Sequence, residues 1–132
     1  MENRNKKDIL VFEDIQLLVN TFYTRVRGDE LLGPVFEERL SGRWEKHLDK
    51  MYSFWQTILL GQRSYQGSPL VPHLDMPVDA AHFGRWVGIF HKTLEDLFDG
   101  EVADEARWRA ERMAEMFAYK IEYFRQNQGA IQ

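Results

Sequence analysis

Ser68-Pro69-Leu70-Val71-Pro72-His73-Leu74-Asp75-Met76-Pro77 is the stretch around which the rest of the chain is arranged. Its three prolines each fix φ and remove a backbone donor, so the segment is kept out of any long helix and held in an irregular or one-turn form. One imidazole, His73, is mounted in it among apolar neighbours. Neutral imidazole binds iron, copper or zinc, and a dry surround tunes the bound metal, so His73 is a candidate metal ligand. Pro72 cannot donate to the carbonyl of Ser68, and the second ring N–H of His73 is expected to find an acceptor carbonyl within residues 68–70.

On either side of this stretch the apolar residues recur at helical spacing. Downstream, Asp79 reads as the N-cap of a long helix with the stripe Phe83, Trp86, Val87, Phe90, Leu94, Leu97 and Phe98, ending at Gly100. A further helix is expected from about Val102 to Gln126, with Ala106, Ala110, Met113, Phe117, Ile121 and Phe124 on one face. Upstream, Ser41 reads as the N-cap of a helix whose stripe is Trp44, Leu48, Met51, Trp55 and Ile58, and Gly61 stops it. Gly61 to Pro77 is then a long connection, and its apolar residues argue for function over disorder. Nearer the start, Ile15, Leu18, Val19, Phe22 and Val26 form a first stripe that opens at Glu13 and Asp14 and closes at Gly28. Leu31-Leu32-Gly33-Pro34-Val35-Phe36 reads as a tight connection, with Pro34 as the first residue of a short helical turn that carries Phe36 inward. Period-two alternation is absent, so the fold class is all-α, with antiparallel helix pairs where connections are short.

Composition removes several function classes. The chain has 132 residues, enough for one domain, and its net charge of −4 with scattered Lys and Arg leaves no basic footprint for nucleic acid. It has no Cys, which excludes thiolate ligands, zinc clusters, disulfides and thioether-linked haem. No apolar run reaches membrane-span length and no signal-peptide core follows the polar start, so no membrane association is expected and the default compartment is the cytoplasm. Phosphate loops, zinc-protease pairs, nucleophile elbows and di-iron carboxylate motifs are all missing. Aromatics at 14 % suit either a flat ligand or simply a ring-rich core.

Four histidines are available. His82 and His91 read as surface or boundary residues of the helix after Asp79. His47 falls on an apolar helix face, where a histidine is more often a hydrogen-bonded core residue than a ligand. Tyr23 lies beside the first stripe, where its ring packs inward and its hydroxyl needs a partner. Together, His73 on a rigid loop and His47 on a helix, with Phe and Trp around both, suit an iron porphyrin held through a single His.

Those residues also carry a family resemblance. Phe22-Tyr23-Thr24-Arg25-Val26-Arg27, Leu32-Gly33-Pro34-Val35-Phe36, Trp44-Glu45-Lys46-His47, Phe54-Trp55-Gln56-Thr57-Ile58-Leu59-Leu60-Gly61, Tyr65-Gln66-Gly67-Ser68-Pro69-Leu70, His73-Leu74 and Phe83-Gly84-Arg85-Trp86 stand in an order and spacing similar to those of truncated haemoglobins. The missing double-glycine motifs make the third group of that family the best match. The resemblance implies one truncated-globin domain over residues 1–132 with a core of about 12–125, folded as a two-over-two helical sandwich around non-covalent haem b. It implies His73 as the proximal iron ligand, with Phe36, Lys50, Phe54, Leu70 and Phe90 also at the cofactor and Lys50 near a propionate. It implies a distal side of Tyr23, His47, Met51 and Trp86, with His47 either facing the iron or gating the pocket. Expected iron ligands are dioxygen, carbon monoxide, nitric oxide, cyanide or peroxide, with an unidentified reductase as electron donor. Oxygen binding and peroxide or nitric oxide detoxification are the activities implied. The competing class is a cofactor-free helical interaction module whose aromatic stripes are only core.

Overall fold

The computed structural model describes residues 6–65, 67, 73 and 76–131, with side chains to residue 127. Among the described residues there are five helices: α1 (Phe12–Arg27), α2 (Leu32–Leu40), α3 (Trp44–Leu60), α4 (Ala80–Leu97) and α5 (Glu101–Ile131). Helix α1 pairs with α3, α4 pairs with α5, and α1 also packs across α4, which joins the two pairs into a two-over-two sandwich. The expected all-α fold is therefore the observed one.

Helix α1 forms where its stripe repeats. Ile15, Leu18, Val19, Phe22 and Val26 are buried together, and Phe22 meets Phe90 of α4 edge-on at 5.2 Å. The carboxylate of Asp14 accepts from the N–H groups of Leu10 and Val11 at 2.9 and 3.1 Å and from Lys7 Nζ at 2.5 Å, closing the entry to the helix. Across the layers, Arg25 reaches α4, donating to Thr93 Oγ1 at 3.2 Å and pairing with Asp96 at 2.9 Å. A core of this kind stabilises mainly by burial, about 1.5–3 kcal/mol for each large apolar side chain taken from water.

Helix ends show where local reading succeeds and where it fails. Asp79 caps α4 as expected, accepting from Ala81 N–H at 3.0 Å and His82 N–H at 3.3 Å. Gly61 ends α3 in the left-handed conformation, also as expected. Ser41, by contrast, does not cap α3. Its N–H donates to Glu37 O at 2.9 Å and ends α2, because Gly42 at φ +78° turns the chain first and α3 starts at Trp44. The segment at Pro34 is a nine-residue helix, not one turn, and Pro34 is its third residue, not its first, still within the first turn, where a missing N–H costs nothing. Helix α4 stops at Leu97, ahead of Gly100, because Phe98 turns extended to bury its ring while its neighbour Asp99 donates to Lys7 O at 3.0 Å.

The N-terminal segment is stitched to the far end of the chain. The carboxylate of Asp8 accepts from the N–H groups of Val102 and Ala103 at 2.9 Å each and so caps the first turn of α5. Those bonds hold the Asp8 carboxyl below the usual range, although burial works against them. Gly100 lies against this carboxylate, and a Cβ there would collide with it. The expected acceptor carbonyls at 68–70, with Leu70 and Pro72, lie outside the described residues. His73 is described, and its carbonyl accepts from the Met76 N–H at 3.1 Å.

Candidate functional site

All five helices and the 73–78 segment wall one apolar cavity. Tyr23 comes from α1, Leu32 and Phe36 from α2, and His47, Met51 and Phe54 from α3, where the spacing of four and three residues puts all three on one face. His73, Met76 and Val78 close the opposite side; α4 adds His82, Phe83 and Trp86, and α5 adds Met113, Ala114 and Phe117. The free space is about 90 Å³. Of the residues singled out from sequence, Tyr23, Phe36, His47, Met51, Phe54, His73 and Trp86 share this wall.

Of the other expected site residues, two are not part of this wall and the third is not described. Leu70 is outside the described residues. Phe90 is 1 % exposed and lies one ring behind the wall, stacked on Trp86 at 5.6 Å and on Trp55 at 5.0 Å, so it orients Trp86 from the core. Lys50 is on the exposed side of α3. His82, read from sequence as a boundary residue, is a wall residue whose Nδ1 lies 2.9 Å from its capping partner Asp79. His91 does lie at the boundary, facing Glu111 at 3.3 Å. Met76, Val78, Met113 and Phe117 escaped notice as cavity residues. The last two carried the α5 stripe, but spacing alone does not tell a core face from a cavity wall.

His47 decides the chemistry of the cavity. Its ring meets Tyr23 edge-on at 5.1 Å, and its Nε2 is buried with no hydrogen-bond partner among the described residues. An unpaired buried donor or acceptor costs about 1–3 kcal/mol, so such an atom is kept where a ligand completes it. One turn earlier, Trp44 donates to Glu37 Oε1 at 3.2 Å, lies under the Arg27 guanidinium at 4.3 Å and stacks on Phe36. This clamp ties α1, α2 and the start of α3 together beside His47. Burial raises the Tyr23 pKa, so its hydroxyl stays protonated and able to donate.

Burial first, then the charges of His73 and Lys50, push the His47 pKa down to about 4 from 6.5. The unfolded chain therefore takes up a proton at higher pH than the folded chain does, and stability falls as the pH drops from 6.5 towards about 4, then levels off. The loss is at most about 3 kcal/mol. Urea titrations across that window should show it in the parent chain and not in His47→Leu. Equal pH slopes in the two would mean that the imbalance comes from other groups.

The comparisons with known proteins agree with this geometry. The family model described as bacterial-like globin matches residues 10–121. The Group 3 truncated hemoglobin ctb of Campylobacter jejuni is 34 % identical over 109 residues, which is 80 % of this chain and 86 % of that protein. The crystal structure of group III truncated hemoglobin from Campylobacter jejuni superposes with a TM-score of 0.80 at 32 % identity, covering 88 % of this chain and 94 % of that one. The chain belongs to the bacterial-like globin family, as a truncated haemoglobin most similar to the third group. Haem-based binding of small ligands follows from that membership. The residues present fit the cofactor: an apolar ring-lined wall, an imidazole at His73 and an unsatisfied imidazole nitrogen at His47.

Proposed function

We propose that this chain binds haem b through His73 and holds dioxygen, or another diatomic ligand, between Tyr23, His47 and Trp86. The observation that carries the reading is the buried Nε2 of His47, without a hydrogen-bond partner among the described residues, in a mostly apolar cavity whose wall also includes His73. Among the described residues no three His, Asp or Glu side chains gather to hold a bare metal ion. A metal ligated by one histidine then needs a macrocycle to supply its remaining bonds.

When bound, haem would supply an iron centre able to take a small ligand and to exchange one electron. The chain's own part is to orient and to exclude water. Phe36, Met51, Phe54 and Phe117 would offer apolar surfaces to the porphyrin, and Lys50, exposed on α3, would pair with a propionate. Phe90 backs Trp86 from the core, stacked parallel to it at 5.6 Å. A phenol hydroxyl and an indole N–H in a dry site favour a ligand that carries partial negative charge. The same donors suit peroxide or nitric oxide chemistry, with a reductase supplying electrons.

An absorption spectrum of the purified chain titrated with hemin, then treated with dithionite and carbon monoxide, tests the reading. A strong Soret band that moves on reduction and again with carbon monoxide is expected. A chain that stays colourless in excess hemin overturns it.

A further inference from the structure

The described residues around His73 belong to none of the five helices, yet Met76 and Val78 are tied to α5. Arg125 Nη2 donates to the carbonyl of Met76 at 2.8 Å and to that of Val78 at 2.5 Å, bridging two turns of an otherwise irregular backbone. Between those residues Val78 N–H donates back to Met76 O at 2.9 Å, and Met76 N–H reaches His73 O at 3.1 Å. Two turns before Arg125, the Phe117 ring lies against the His73 imidazole at 4.9 Å, and one turn before it Ile121 is buried with Met76 and Val78. Phe117, Ile121 and Arg125 are spaced by four, so one face of α5 touches the segment from the imidazole to the last carbonyl. The guanidinium is the one charged part of that face, and hydrogen bonds from a charged donor are the strong ones.

We infer that Arg125 is a positioning residue for His73: by latching the Met76 and Val78 carbonyls it fixes the turn that aims the imidazole. The inference rests on the reading of His73 as the axial ligand, and it separates into two measurements. Hydrogen exchange in the cofactor-free chain reads the latch itself. In Arg125→Met the Met76 and Val78 amides should exchange at least about ten-fold faster than in the parent, a factor corresponding to about 1.4 kcal/mol, and Arg125→Lys should recover most of the protection. Unchanged exchange overturns the inference whether or not haem binds.

With haem bound, the iron–histidine stretching band of the ferrous protein reads the aim of the imidazole. It should shift and broaden in Arg125→Met and return in Arg125→Lys. A lowered Tm with an unmoved band would make Arg125 merely structural and overturn the positioning role. A parent chain that binds haem but shows no histidine band would overturn the assignment of His73, and with it this inference, even where the exchange data establish the latch.

Discussion

His73→Ala is expected to lose haem. The ring is only partly buried, and its packing partner Phe117 and the adjacent Met76 and Val78 belong to walls that stand without it, so the helices should persist while the axial bond goes. Loss of groups that merely hydrogen-bond a metal ligand already costs 10–100-fold in metal affinity. Removal of the ligand itself should therefore speed haem transfer to an acceptor globin by at least about a hundred-fold. Added imidazole should restore a histidine-like ferrous spectrum by filling the gap left at residue 73. If the variant keeps that spectrum without imidazole, the iron is held elsewhere, and His47 becomes the ligand to test.

The second large effect concerns ligand escape. Tyr23 and Trp86 reach the same cavity from α1 and α4, and each is backed by core rings, Tyr23 by Phe22 at 4.8 Å and Trp86 by Phe90 at 5.6 Å. A hydrogen bond to a charged partner is worth about 1.5–3 kcal/mol, so removing the main donor should speed dioxygen dissociation about ten-fold or more. Carbon monoxide gains little from such donors and should respond weakly. Stopped-flow dissociation of both gases from Tyr23→Phe and Trp86→Phe separates electrostatics from pocket shape. Equal acceleration of the two gases would reduce both side chains to packing.

How far the site is legible in sequence depends on the range of the interaction. The α1 stripe, the Asp79 cap and the Gly61 stop are decided within a few residues, and local spacing finds them. The start of α3 depends on Gly42 turning the chain before Ser41 can cap, a conformational choice that the residue types at 41–44 leave open. Phe90 and Trp86 look equivalent along one helix, yet one faces the cavity and the other stands a ring behind it, because Trp55 from α3 occupies Phe90's other face. His82 resembles any capping neighbour until the segment at Met76 and Val78 folds back beside it. Arg125 gives no local signal at all, since its partners are carbonyls nearly fifty positions earlier.

The stitch from Asp8 to the first turn of α5 spans 94 residues along the chain. Closing a loop that long costs about 4 kcal/mol in chain entropy before any contact repays it. The bond is therefore a late event, made once the intervening helices have already brought their ends together, and its loss should appear in the unfolding rate and leave the folding rate nearly unchanged. The helix whose distal half steadies His73 is thus fastened at its near end by a contact of very long sequence separation, one expected to serve the lifetime of the finished protein more than its assembly.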